Sequence, residues 1–493
     1  MSAERALHLG LDVGTQGTKA LLIDPRRRAI VAAASSSYEL IEGLPQGAAE
    51  QHPDTWAAAI RDCVGQVFAR SGARPAELAG VGVSGQQHGC VVLDERDQVI
   101  RPAKLWCDTS TADEARELSA VLGRNVPTGF TASKLLWLAR REPHNFALVR
   151  RVLLPHEWVN FQLTGRATAE PGDASGTGFF DVRSRRYDAR ALAAIDARLE
   201  NCLPQLIESS ALAGELTSSG ARWLGLDAAA AGACVSSGGG DNMMSAIGSG
   251  AVEPGAVTLS LGTSATVFAF SATPCVDPEG LIAAFCDSTG GWLPLLCVMN
   301  ATGVLEECSA AFERDLDELT AAARLAPAGC EGALLVPYFV GERVPDLPHS
   351  SGALLGLRPG QLRAGVVFRA ALEGVALNLA WGVERMRALG VAVKRVRAVG
   401  GGARNELWRS ILASALDAPV QPLENPESAA LGAALQSLWA CARAAGASES
   451  IVDVARPWVR ESGPASEPRG EWVERYRESG ARFRESVGKL FAR

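Results

Sequence analysis

Residues 6–24 read Ala6-Leu-His-Leu-Gly-Leu-Asp12-Val-Gly14-Thr15-Gln16-Gly17-Thr18-Lys19-Ala-Leu-Leu-Ile-Asp24. Two apolar runs flank a Gly-Thr-Gln-Gly turn, which is the signature of a β-hairpin. A third apolar run, Ala29 to Ala34, adds another strand. Such a turn can cradle phosphate with its backbone N–H groups, beside the hydroxyls of Thr15 and Thr18. Asp12 ends the first strand and is a candidate for organising a phosphate-bound Mg²⁺. The stretch is not a Walker A loop, because the Gly-x4-Gly-Lys-Ser/Thr spacing is absent and a strand follows where that motif needs a helix.

The same theme returns at Val257-Thr-Leu-Ser-Leu-Gly262-Thr263-Ser264-Ala-Thr266-Val-Phe-Ala-Phe270. Two copies of one hairpin about half the chain apart predict two related halves. At 493 residues the chain is also too long for one ordinary core. The break is expected near 248–255, giving domains of 1–247 and 248–493. Periodicity alone supports an α/β class.

Just before that break stands Ser237-Gly238-Gly239-Gly240-Asp241-Asn242. Ala233-Cys-Val235 reads as a buried strand and Met243 to Gly250 as the start of a helix. Glycine lets the backbone turn sharply and lets a ligand come close. Asp241, delivered by that turn, is a candidate general base.

Other segments fall around these. Residues 54–71 carry Trp56, Ile60, Val64 and Val67 on one helical stripe. Gly80-Val-Gly82-Val-Ser-Gly85 matches Gly-x-Gly-x-x-Gly, but Gly89 to Asp94 reads as a strand, whereas a dinucleotide fingerprint must open a helix. This turn presents Gln86, Gln87 and His88, polar groups suited to a polyhydroxylated ligand. In Gly129-Phe-Thr131-Ala-Ser-Lys134-Leu-Leu-Trp137-Leu138, Thr131 is read as a helix cap and Lys134 as a solvated charge. Asp173-Ala-Ser175-Gly-Thr177 is read as a turn. Arg363 to Leu389 is one long helix. Val396 to Val399 is a strand, and Gly400-Gly401-Gly402-Ala403-Arg404-Asn405 leads from it into a helix, an arrangement that suits a nucleotide or a plain tight turn. Pro426 to Ala434 is expected to wall the same pocket, and Glu471 to Phe491 to form a surface helix.

The formal charge of −7 argues against general nucleic-acid binding. Apolar runs such as Trp292 to Met299 and Ala333 to Val340 are too short to span a bilayer. No basic segment followed by a long apolar one opens the chain, so a secretion signal is not expected. The 11 cysteines include no Cys-x-x-Cys, and the even spacing of Cys275, Cys286, Cys297 and Cys308 comes without histidine partners. Reduced thiols in a cytoplasmic protein are expected.

Taken in order and spacing, the motifs resemble the FGGY family of carbohydrate kinases over nearly the whole chain. Asp12-Val-Gly-Thr is similar to its first phosphate motif, and Gly129 to Leu138 to its first signature. Gly238-Gly-Gly-Asp241-Asn242 is similar to its catalytic loop. Leu261-Gly-Thr-Ser264 and Gly400 to Asn405 are similar to its second phosphate and adenosine motifs. Within the family, Gly85-Gln86-Gln87-His88-Gly89, Arg101-Pro-Ala-Lys-Leu-Trp106 and Pro337-Tyr-Phe-Val-Gly-Glu342-Arg343 resemble the xylulokinase branch. The arginine-glutamate pair of glycerol kinases is missing near Gln87-His88. Three features depart from the xylulokinase pattern: Gln87 replaces the usual methionine, Trp106-Cys-Asp108 runs into Thr109-Ser110-Thr111 instead of an arginine, and Asp346 replaces a histidine; a fourth, Val366, stands where the second family signature has a polar residue.

The resemblance implies two ribonuclease H-like domains of the actin and hexokinase type around a central cleft, the first binding sugar and the second nucleotide. It implies ATP-dependent phosphorylation of a ketopentose, D-xylulose above all, by an enzyme with ATP and Mg²⁺ as cofactors. Asp241 would be the catalytic base, with Gln87, His88 and Asn242 on the sugar. Thr15, Thr18, Gly262 and Thr263 would hold phosphates, Gly401, Gly402 and Asn405 would lie near adenosine, and Asp12 would organise the metal. Sugar and ATP are the expected partners, with neither nucleic acid nor membrane, and a homodimer is allowed. The alternatives are a kinase for another ketose or a sugar alcohol, and a non-catalytic sugar-binding or actin-like ATPase switch protein.

Overall fold

The computed structural model describes residues 5–425 and 427–491. The chain forms two compact units. Unit 1 comprises residues 1–252, 285–293 and 427–458, and unit 2 comprises 253–284, 294–426 and 459–493.

In unit 1, strands β1 (Leu7–Val13), β2 (Gly17–Asp24) and β3 (Ala29–Ser37) form the expected antiparallel meander. Strand β4 (Leu78–Gly85) lies parallel to β1, and β5 (Cys234–Ser236) lies parallel to β4. Side chains alternate across a strand. Leu9, Leu11, Val13, Val81 and Val83 share one buried cluster with Trp56, Ile60 and Val64 of helix α1 (Pro53–Ser71). Helix α2 (Thr131–Arg141) belongs to a separate cluster. Trp158 and Val159 of α3 (Pro155–Thr164) join the first one. The other face of the sheet carries Gly10 and Gly82. Helix α4 (Asp241–Ser249) begins at the candidate base.

Unit 2 repeats the plan. Strands β6 (Gly255–Leu261), β7 (Ala265–Ala269) and β8 (Trp292–Val298, whose first two residues group with unit 1) are antiparallel neighbours. Strand β9 (Val393–Val399) runs parallel to β6, and β10 (Val420–Pro422) parallel to β9. The spatial orders β5-β4-β1-β2-β3 and β10-β9-β6-β7-β8 are the same pattern twice. That is the ribonuclease H-like plan, and the hairpin echo in the sequence marks its two copies.

Helix α5 (Ala364–Ala388) has the length and composition of a membrane span, with a mean hydropathy of 1.4 over 18 residues. A search for unbroken apolar runs passes over it because Arg369 and Glu373 interrupt it. Those two charges pair at 2.8 Å, and the helix is the core of unit 2. Val366 is buried there, so an apolar residue suits that position. Helix α6 (Glu406–Leu416) packs against α5 through Trp408, whose indole donates to the Leu372 carbonyl at 3.1 Å.

Helix α7 (Ser428–Ala444) corrects the sequence reading. It returns to unit 1 and covers the glycine face of the sheet. A Cβ on Gly10 or Gly82 would stand 1.9 Å from the carbonyl oxygens of Ala430 and Ala433. The second half is therefore not one continuous domain. Pro426, where that reading began, lies outside the described residues. Helix α8 (Gly470–Phe491) is also more than a surface helix. It buries Tyr476, Phe483 and Val487, and the Tyr476 hydroxyl donates to Glu373 at 2.9 Å.

Candidate active site

Parallel strands end on the same edge of a sheet, and ligands of open α/β sheets sit at that edge. In unit 1, Asp12 pairs in register with Ser84, and Ser84 with Gly239. Val13 and Gly240 likewise flank Gly85. The register therefore brings Asp12, the Gln86-Gln87-His88 turn and Asp241 out together.

Gly240 is the extended residue before α4, and Asp241 is the first residue of that helix. One carboxylate oxygen of Asp241 accepts the Asn242 backbone N–H at 2.8 Å and the Asn242 amide at 3.1 Å. The Asn242 amide also donates to Gln87 Oε1 at 2.8 Å. Burial pushes the Asp241 carboxyl up to about 7, Asp12 and Asp173 push the same way, and the Asn242 N–H opposes them. A base poised near neutrality is suited to taking a proton from a hydroxyl. Burial also raises Asp12, which accepts the Ser84 hydroxyl at 2.7 Å.

The turn after β4 divides its labour. Gln86 is structural: it accepts the Thr15 hydroxyl at 3.0 Å and donates to Gln51 at 3.1 Å. Gln87 is buried, and its Nε2 has no hydrogen-bond partner among the described residues. His88 takes a left-handed backbone with φ of 64°. Its ring stacks against Phe130 and Phe285 at centroid distances of 4.6 and 5.8 Å. The first family signature proves to be the clamp on this turn. Lys134 is buried, not solvated, and donates to the His88 and Gly129 carbonyls at 2.5 and 2.7 Å. Burial lowers its pKa to about 7. Thr131 does not cap α2, since Phe130 holds that position. Its hydroxyl donates to the His88 carbonyl at 3.2 Å.

The hairpin hydroxyls differ from expectation. Thr15 gives its proton to Gln86 and accepts the Trp106 indole N–H at 2.9 Å. Thr18 is fully buried, 3.3 Å from the Tyr38 hydroxyl. Both hydroxyls are thus engaged within the protein.

In unit 2, Gly262 and Thr263 form an exposed turn, with their carbonyls bound by Thr302 and Ala301 at 2.9 Å. Gly401 faces open space, but a Cβ on Gly402 would stand 2.6 Å from the Trp408 ring. Gly402 is thus a packing glycine. Asn405 is the N-cap of α6: its oxygen accepts the Trp408 N–H at 3.0 Å and its nitrogen donates to Thr320 at 2.8 Å. Its amide is committed to the fold.

Residues 7–248 match the N-terminal domain, and residues 257–441 the C-terminal domain, of the FGGY family of carbohydrate kinases. The chain belongs to this family. This FGGY kinase is 37% identical to the xylulose kinase of Haemophilus influenzae, over 88% of this chain and 90% of that one. It is 36% identical to the xylulose kinase of Streptomyces coelicolor, over 94% of this chain and 93% of that one. The crystal structure described as a xyloylose kinase from Brucella ovis superimposes with a TM-score of 0.89 at 33% identity, covering 99% of both chains.

Beside the Asp241 loop stand two residues that sequence reasoning passed over. Asp173 and His156 are fully buried and hydrogen-bonded at 2.7 Å, beneath the Gly238–Gly240 turn. Asp173 was legible only as a turn residue. Its partner lies 17 positions away, at no spacing that announces a pair.

Proposed function

We propose that this FGGY kinase transfers the γ-phosphoryl group of ATP to a hydroxyl of D-xylulose, with Asp241 as general base. The observation that carries the reading is Asp241 itself, held near neutrality beside the Gln87-Asn242 pair. The xylulose kinases among its relatives supply the sugar.

Asp241 accepts the proton of the attacking hydroxyl. Asn242 holds that carboxylate through two hydrogen bonds to one oxygen, which leaves the other for the substrate hydroxyl. Gln87 and His88 meet the sugar where the turn after β4 ends. Phosphoryl transfer needs positioning and charge neutralisation more than covalent help. In this reading, backbone N–H groups at the 14–17 turn in unit 1 would receive phosphate, and in unit 2 those at the 262–263 turn would receive phosphate and those at the 400–402 turn adenosine.

Mg²⁺ fits this donor set in one way. Among the described residues no cluster of three or more metal-ligating side chains exists. A magnesium ion bound through one or two carboxylates, substrate phosphates and water needs none. Asp12 would hold it. When bound with ATP it would neutralise phosphate charge.

The test is ADP release with D-xylulose, D-ribulose, L-xylulose, glycerol and D-arabinitol. D-Xylulose is expected to give the highest kcat/KM. Another sugar better by tenfold, about 1.4 kcal/mol, overturns the substrate assignment and leaves the kinase intact.

A further inference from the structure

Two unsatisfied polar atoms converge beside the base. The Nε2 of Gln87 and the Oδ1 of Asp173 are both buried, with no hydrogen-bond partner among the described residues. The amide carbon of Gln87 and the Asp173 Oδ1 lie 3.0 and 3.1 Å from one point, where a Cβ on Gly240 would stand. The missing side chain of Gly240 thus leaves room for both, one residue before Asp241. Buried polar atoms are nearly always paired, so unpaired ones call for a partner that binds.

Asp173 is held rigidly. Its other oxygen meets His156 Nδ1 at 2.7 Å. Glu170 accepts the N–H groups of Gly172 and Asp173 at 2.8 and 2.7 Å, fixing the turn that carries it. His156 packs under both loops: its Cδ2 is 2.8 Å from a Cβ on Gly238, and its backbone nitrogen is 2.7 Å from one on Gly85. Burial opposes a proton on His156, but the hydrogen bond and charge of Asp173, with Glu157 and Glu170, outweigh it and raise its pKa. The carboxylate is therefore oriented through one oxygen by His156, and Oδ1 remains as an acceptor.

A hydroxyl is the group that satisfies both atoms at once, because it accepts from an amide N–H and donates to a carboxylate. We propose that Asp173 is a specificity-determining residue whose Oδ1 accepts a hydrogen bond from a second hydroxyl of the sugar, one that also accepts from Gln87 Nε2, with His156 as its positioning residue. This rests on the reading of the Asp241 loop as the sugar site.

A cycle between protein and ligand tests it. The parent and Asp173→Ala are assayed with D-xylulose and with its 1-deoxy, 3-deoxy and 4-deoxy analogues, at saturating ATP. Asp173→Ala is expected to lose about tenfold or more in kcat/KM on D-xylulose, mostly through KM. On one deoxy analogue, parent and variant should agree within about threefold, because the lost hydroxyl and the lost carboxylate are one interaction. An equal loss on all four sugars makes Asp173 structural and overturns the inference. If Asp173→Ala does not fold, Asp173→Asn enters the same cycle under the same criteria. A parent that turns over none of the four sugars overturns the D-xylulose reading and the inference together. A parent active on D-xylulose with a uniform variant loss overturns the inference alone.

Discussion

Asp241 is raised by burial first and by the charges of Asp12 and Asp173 after that. A carboxyl raised to about 7 is protonated, and useless as a base, below that pH. The sign follows: kcat/KM for the sugar should fall toward acid through an apparent pKa near 7, by about tenfold per pH unit below it. A profile flat from pH 8 to about 5.5 would remove Asp241 from the role, since a base must lose its function on protonation. Asp241→Asn should lower kcat by about 10²–10⁴-fold and leave sugar binding in place, as read by calorimetry. At this scale the sequence was informative where a residue follows a strand end. Gln87, Asp241 and Asn242 stand out in the sequence because Gly-rich turns after apolar runs announce polar groups at a sheet edge. Thr15, Asn405 and Lys134 each direct a polar atom to a partner that no sequence pattern announces, 71, 85 and 46 residues away. Asp173 was missed because its partner His156 shows no pattern with it.

Elements position these residues through close backbone contact. Helix α4 carries Asp241 and crosses α7 at a pair of glycines. A Cβ on Gly432 would stand 1.8 Å from the Met244 carbonyl, and one on Gly248 1.9 Å from the Ser428 carbonyl. No rotamer relieves a clash between a Cβ and a carbonyl, so the helices must separate. Overpacking of this kind costs about 1–3 kcal/mol. Gly432→Ala should therefore lower thermal stability. It should also reduce kcat although it touches no substrate, because α4 moves with the base. The check is a melting curve beside steady-state kinetics. A variant with both unchanged would show that this crossing is looser than the structure has it. Hairpins, the long helix α5 and the parallel strands were readable from period and turn residues. The helix crossing was not, because a glycine within a helix reads only as a weak helix former.

The two copies of the strand plan were visible in the sequence as two echoing hairpins, and the first boundary was placed five residues from the crossing at Val252. The interleaving was not visible. It depends on which sheet face α7 covers, and its apolar residues would suit either unit. That makes the fold of unit 1 depend on a segment 175 positions beyond the boundary at Val252. Without α7, the face carrying Gly10, Gly80 and Gly82 has few side chains of its own to shield the sheet, and Met243, Met244 and Ile247 of α4 lose a neighbour. A chain of residues 1–252 should therefore lack cooperative unfolding and bind a hydrophobic dye. Gly248 lies against Ser428, so a short Gly/Ser linker can join residue 252 to residues 427–458. That chimaera should recover a cooperative thermal transition. If residues 1–252 alone already melt cooperatively at the same temperature as the chimaera, α7 is an accessory of unit 1 and not part of its core.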